Sequence, residues 1–418
     1  MLQNHVKTVL RLLCALFICI LLGYSVKWGT RITHGFTAYY VSAKMILQGD
    51  DFATSYNNQT FLSKIKEYGI SNVRDVPRNL PSNALVFLPI AWLSPVNAKI
   101  AWTGISLLCF FAGVYALFKG NDIQWRSNTG LSMLSLLLLF KPLYMNIALG
   151  QIYIFLFCIF SLAAYAFKKQ HIASGASIIS SALMLKGYGV VAYSFSLLTN
   201  RSLKAWSSLL LLPAIFLCTL PMVHLQSWSA YYDTLSTTIG RMAEDSHVAY
   251  QTINGLIRHL FLFDVVWSPF PVFQLSDSVV NGISVSLNLI VMIIVMIYSI
   301  KLSKENFALS FFACVAVNVV TAPIAEEYHY VLFLPLFVGL FVQTIFKRES
   351  LKQISIPDIL LIIAFFFMAI PIRYTSLQST SFPIYLLAYP KLYAGMITLG
   401  MFVLHAKRTT FIDNKKIV

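Results

Sequence analysis

Runs of about 20 apolar residues recur along this chain, each followed by a short polar break. A helix of that length matches the hydrocarbon thickness of a bilayer. Inside a bilayer the backbone must satisfy its own hydrogen bonds, which a helix does. The chain is therefore read as an all-α polytopic membrane protein. Its composition agrees: 58% of the 418 residues are hydrophobic and 11% are charged, with a mean hydropathy of +0.72. A soluble domain has about 25% charged residues. Spans are expected near 9–28, 86–118, 129–143, 148–167, 172–184, 189–199, 205–223, 280–300, 306–321, 329–346, 356–371 and 382–404, about twelve in all. With no room for a second soluble domain, residues 1–418 form a single integral membrane domain. No small-residue cleavage site follows the first run, which reads as a retained span.

The net charge of +15 raises the question of nucleic acid, but its distribution points elsewhere. Bases sit in short loops between apolar runs, such as Lys168-Lys169, Arg201/Lys204 and Lys347-Arg348. Loops of this kind mark the cytoplasmic side. Both termini are then cytoplasmic, and most acids fall on the other face. The expected setting is a cell membrane, with membrane lipids as neighbours and no nucleic-acid partner. The six cysteines all lie in apolar runs without metal-ligand spacing, so neither a disulfide nor a zinc site is expected.

This topology leaves two long external loops on one side, 29–83 and 224–279. In the first, Phe36 to Leu47 reads as an amphipathic helix. Phe36, Tyr40, Ala43 and Leu47 share a face flanked by Tyr39, and Gly49 ends the helix. Such a helix tends to lie in the membrane interface. Asp50-Asp51 follows it, either as a carboxylate beside the lipid surface that could deprotonate an acceptor or as a polar turn. The segment 172–199 must go up and back within two short runs joined at Lys186-Gly187-Tyr188-Gly189, a hairpin that reaches only part of the bilayer.

Ionisable groups at membrane depth are costly and mark functional candidates. Lys186, at the hairpin tip, suits a lipid-linked phosphate; the plainer reading is a lysine snorkelling to the interface. Glu326-Glu327-Tyr328-His329 stands at the mouth of a span. Its carboxylates and imidazole suit proton transfer or the holding of a sugar hydroxyl, and a solvated turn is the alternative. Arg78 and Arg258 are candidates for phosphate or lipid headgroups. Gly150-Gln151 interrupts an apolar stretch, as a site-forming polar group or an interhelical hydrogen bond. No phosphate-binding loop and no dinucleotide glycine fingerprint is present.

Four segments together resemble the polytopic GT-C glycosyltransferases of family 87, the α-1,2-mannosyltransferase-like group. They are Gly35-Phe36-Thr37-Ala38-Tyr39-Tyr40 through Gly49; Leu149-Gly150-Gln151-Ile152-Tyr153 with the Lys186 region; Tyr250-Gln251-Thr252-Ile253-Asn254-Gly255-Leu256-Ile257-Arg258; and Ala322-Pro323 through His329-Tyr330. The resemblance implies a GT-C-type bundle of about twelve transmembrane segments with an external interfacial helix. It further implies a polyprenyl-phosphate sugar as donor, a hexose such as mannose, a glycolipid or glycan acceptor, and no cofactor or metal. Glu326, Glu327, Asp50, Asp51 and His329 are the candidate catalytic residues. Lys186, Gln151, Arg78, Arg258, Asn254, Tyr39 and Tyr40 are the candidate substrate contacts. The chain departs from the family where an acid is expected before Phe36: His34-Gly35 stands there. Two alternatives remain open at this point, a secondary transporter or lipid flippase, and a catalytically inactive subunit that keeps the fold.

Overall fold

The computed structural model describes residues 2–76, 79–239, 246–346, 348 and 354–416. It is all helical, with no strand among the described residues. The helices are α1 (Leu2–Gly29), α2 (Phe36–Gln48), α3 (Asn58–Glu67), α4 (Asn83–Phe87), α5 (Pro95–Gly120), α6 (Asn128–Leu138), α7 (Lys141–Leu149), α8 (Tyr153–Lys168), α9 (Ile172–Leu185) and α10 (Val190–Asn200). They continue as α11 (Leu203–Trp206), α12 (Leu211–Thr219), α13 (Leu225–Thr234), α14 (Ile253–Phe261), α15 (Asp277–Leu302), α16 (Phe307–Thr321), α17 (Leu334–Thr344), α18 (Ile356–Ala369) and α19 (Pro390–Lys416).

Helix α16 is the centre of the bundle. Every residue from Ala308 to Thr321 is buried, as expected of a helix apolar on all sides. It packs against α8, α10, α15, α17 and α19. Its Asn318 and Thr321 side chains donate to the carbonyls of Cys314 and Val317, one turn back. The Asn318 amide and the Thr321 hydroxyl thus bond within the helix itself. Helices α1 and α15 behave differently. Val9, Leu12, Leu16 and Ile20 of α1, and Val285, Leu289, Ile293 and Ile297 of α15, are exposed. Such apolar outer faces suit contact with lipid rather than water.

The span count differs from the sequence expectation. Among the described residues three helices, His5–Gly29, Pro95–Gly120 and Asp277–Leu302, are long and apolar enough to cross a bilayer, and α6 with α7 forms a pair bent by 49°. Elsewhere the apolar runs are broken into shorter pieces. The run expected at 86–118 is interrupted by the 3₁₀ turn Leu88–Ile90 and restarts at Pro95. The run expected at 329–346 begins as the 3₁₀ turn Glu327–Phe333, and α17 starts only at Leu334-Pro335. Proline removes a backbone donor and forces such breaks. The expected short hairpin is present: α9 and α10 have 14 and 11 residues and meet at Lys186. At 1.5 Å per residue each is shorter than a hydrocarbon core of about 30 Å.

Helix α2 forms where the periodicity places it, but it is not a surface helix. Phe36 through Ala43 are all buried, Thr37 and Ser42 included. The helix packs on α3, α4 and α5. Thr37 can be buried because its hydroxyl donates to the Thr33 carbonyl at 2.9 Å.

Candidate active site

The N-terminus of α2 leaves backbone N–H groups without intrahelical partners. Gly35, its N-cap, has φ +85° and no side chain to cap them. The carboxylate of Asp75, forty residues further on, supplies the cap. Its Oδ2 accepts from Gly35 N at 2.5 Å and Ala38 N at 3.1 Å. Its Oδ1 accepts from Val76 N at 2.9 Å. The placement of a negative group here is favoured by the helix dipole. Burial nevertheless pushes the Asp75 carboxyl above the usual range, against those three N–H groups and His34.

The same loop fixes Lys186. The C-terminal carbonyls of α9 need partners, and Ser82 Oγ donates to Met184 O while Asn83 Nδ2 donates to Leu185 O at 2.8 Å. Lys186 then leaves the helix in an extended conformation. Its ammonium donates to Asn79 Oδ1 and lies 5.8 Å from the centre of the Tyr153 ring. None of the ion pairs among the described residues involves it. Burial lowers its pKa to about 8, which keeps it mostly charged at neutral pH.

The third wall is the turn after α16. Glu326 and His329 form a reciprocal capping box, with Glu326 N donating to His329 Nδ1 at 2.9 Å. The Glu326 carboxylate also accepts from Tyr328 Oη at 3.3 Å. The His329 ring packs 4.2 Å from Tyr153 and 4.4 Å from Tyr328, centre to centre. Tyr188 Oη donates to Ile324 O at 3.0 Å and Asn146 Nδ2 to Tyr328 O at 2.7 Å, so the turn is pinned to the hairpin tip and to α7. Gln151 is placed by Gly150, whose φ of +65° ends α7. A Cβ on Gly150 would meet Lys99 Nζ and Phe36 Cβ, each at 2.7 Å. The Gln151 Oε1 accepts from Tyr39 Oη at 3.2 Å.

These groups line one cavity of about 240 Å³, into which His34, Tyr39, Asp75, Asn79, Gln151, Tyr153, Lys186, Tyr188, Glu326, Tyr328 and His329 all open. An apolar groove of about 380 Å³ adjoins it, sharing Tyr188 and Ile324 and adding Tyr231, Leu235 and Met292. Five of the expected site residues thus come together: Tyr39, Gln151, Lys186, Glu326 and His329.

The other expected site residues lie elsewhere. Glu327 turns from the cavity and pairs with Lys391 at 3.0 Å. Asp50 is held by Lys64 at 2.9 Å and by the Tyr68 hydroxyl, and Asp51 caps the turn Phe52–Tyr56 by accepting from Ala53 N. Tyr40 donates to Leu93 O at 2.8 Å. Arg258 is buried and reaches Asn281 at 2.6 Å and Asp277 at 3.2 Å, joining α14 to the start of α15. Asn254 donates to Pro323 O at 3.2 Å, supporting the turn from outside the cavity. Arg78 lies outside the described residues. Asp75, Asn79, Tyr153, Tyr188 and Tyr328 were missed as site residues. In sequence Asp75 is one external acid among many, and only the uncapped Gly35 hints that a carboxylate must come from elsewhere.

A helical, apolar chain that gathers a cation, two carboxylates and aromatic hydroxyls into one cavity at its helix ends has the make-up of a membrane glycosyltransferase. Residues 80–335 match glycosyltransferase family 87. That is more than half of the chain, which belongs to this family and is thereby a glycosyltransferase of the GT-C-like membrane class. No curated protein and no solved structure matched it.

Proposed function

We propose that the protein transfers a hexose, with mannose the first to try, from a polyprenyl-phosphate donor to a glycolipid or glycan acceptor on the extracytoplasmic face of a bacterial cell membrane. The observation that carries this reading is the position of Lys186 in a polar cavity that shares Tyr188 and Ile324 with an adjacent apolar groove. A lipid phosphate sugar has the same three parts: a polar sugar, one anionic phosphate and a long apolar chain. The cavity fits the sugar, the ammonium fits the phosphate, and the groove fits the first isoprene units.

In this arrangement Lys186 stabilises the charge that grows on the phosphate as the glycosyl bond breaks. A fixed cation in a site poor in water acts strongly there and needs no reorganisation. Gln151, Tyr39 and His329 offer hydrogen bonds and ring faces to the sugar, and a carboxylate of the cavity takes the acceptor proton. The distribution of basic loops favours a cytoplasmic location for both termini and an external cavity.

The test is transfer of radiolabelled sugar by purified protein in detergent, with polyprenyl-phosphate mannose, polyprenyl-phosphate glucose and a nucleotide-linked mannose offered separately. A crude membrane lipid extract supplies the acceptor. Transfer from a lipid donor and none from the nucleotide sugar is expected. Transfer from the nucleotide sugar alone would end this reading.

A further inference from the structure

We propose that Asp75 is the general base of the reaction, taking the proton of the acceptor hydroxyl as its oxygen attacks the sugar; this role rests on the donor reading given above. An ionised carboxylate has about four acceptor sites. In Asp75 three are taken, by the N–H groups of Gly35, Ala38 and Val76. Those bonds fix the group's position and leave one site for an acceptor hydroxyl in the cavity that Asp75 lines.

The other acids are less suited. Glu327 is paired with Lys391 and Asp50 with Lys64, and neither lines the cavity. Glu326 does, but its carboxylate closes a capping box and accepts from Tyr328, so it orients the turn. Position 35 is poorly suited to supply the group: its φ of +85° strains any L side chain, and a Cβ there would push the Gln151 amide from its place, 2.4 Å away. Asp75 reaches the same corner from a different loop. That loop also carries Asn79, which holds Lys186, so base and phosphate-binding cation share one support. Burial makes the Asp75 carboxylate more basic than a free one.

The step balances as follows. The acceptor O–H proton passes to the Asp75 carboxylate. The acceptor oxygen forms its bond to the anomeric carbon, and the bond from that carbon to the phosphate oxygen breaks. The leaving pair stays on the phosphate, which changes from diester monoanion to monoester dianion beside Lys186.

The experiment compares wild type, Asp75→Asn, Asp75→Ala, Glu326→Gln and Glu326→Ala, each with polyprenyl-phosphate mannose and with binding of unglycosylated polyprenyl phosphate as a second readout. Asp75→Asn should lower kcat about 100-fold or more and leave lipid phosphate binding nearly unchanged, with a modest fall in Tm because its single amide oxygen cannot accept from all three N–H groups. Asp75→Ala should be inactive and regain activity on addition of sodium formate, a small carboxylate that can replace the base. Glu326→Gln should lose about tenfold at most, consistent with an orienting role. Retention of more than a third of kcat in Asp75→Asn overturns the assignment. So does formate rescue that appears with a Glu326→Ala variant instead. Unfolding of both Asp75 variants, seen as loss of the thermal transition, overturns the base assignment and makes Asp75 a helix cap only. No transfer by folded wild type from any lipid donor removes the donor reading itself, and the base role with it.

Discussion

The Glu327 carboxylate lies 3.0 Å from the Lys391 ammonium, while the neighbouring Glu326 faces the cavity. Two adjacent acids of one turn are thereby separated in role. Lys391 is fully buried and also donates to the carbonyls of Phe367, Met368 and Ile370. The pair ties the turn that carries Glu326 and His329 to the end of α18 and the start of α19. Lys391→Met strands a buried carboxylate and should destabilise the protein by about 3 kcal/mol. Glu327→Gln should cost less, because the ammonium keeps its three carbonyls. Thermal unfolding in detergent checks both. Full thermal stability with no transferase activity in Glu327→Gln would instead give that acid a direct part in the chemistry.

Lys186 gives a pH prediction with a definite sign. Its pKa is lowered to about 8 by burial, so it is charged below that value and neutral above it. The kcat/KM for a polyprenyl-phosphate donor reports the free enzyme and should fall as pH rises through about 8. In Lys186→Arg the fall should move well upward, because a guanidinium stays protonated. Lys186→Ala should lower kcat/KM about 10- to 100-fold at neutral pH, the worth of a hydrogen bond to a charged group. An unchanged donor affinity in Lys186→Ala would remove the phosphate role.

Lys186, Gln151, His329 and Glu326 were legible in the sequence because each interrupts or borders an apolar run, where a polar group is conspicuous. Asp75 was not, since it stands in a polar loop and its meaning comes from where that loop returns. Arg258 shows the opposite error. It looks available at a span mouth, but the fold brings Asp277 and Asn281 to it from α15. The helix α2 was legible in its bounds but not in the extent of its burial. Periodicity locates an apolar face, but burial of the other face depends on local satisfaction of groups such as Thr37, which no pattern of hydrophobicity records. The count of long continuous helices differs from the expected spans for a related reason: proline and 3₁₀ turns cut runs that composition alone reads as continuous.

Asp50 separates loop stability from catalysis. Burial pushes its carboxyl up, but the Tyr68 hydroxyl and the Lys64 ammonium bring it below the usual range. A carboxyl depressed in the fold contributes stability at neutral pH that is lost as pH falls through its folded pKa. Asp50→Asn should therefore lower Tm only slightly at pH 7, because exposed ion pairs contribute little, and the difference should vanish under strongly acid conditions. Transfer activity at pH 7 should be unchanged. A large loss of kcat in stable Asp50→Asn protein would return this acid to the list of bases.

Gly35→Ala tests how the cavity is built. The residue has φ +85°, a conformation that an L side chain rarely adopts, and strain of this kind costs about 1–3 kcal/mol. Its new methyl would also lie 2.4 Å from Gln151 Nε2 and 3.1 Å from Leu149 O. The amide can swing away, but doing so breaks its bond with Tyr39. The variant should lose stability and raise the donor KM. A Gly35→Ala/Gln151→Ala double variant distinguishes the two causes. If the clash dominates, removing the amide restores Tm without restoring activity. If backbone strain dominates, Tm stays low, and the Gly35 N–H moves relative to Asp75, so kcat falls together with stability. A Gly35→Ala protein with wild-type Tm, KM and kcat would show that neither the glycine conformation nor the N–H bond to Asp75 organises the site.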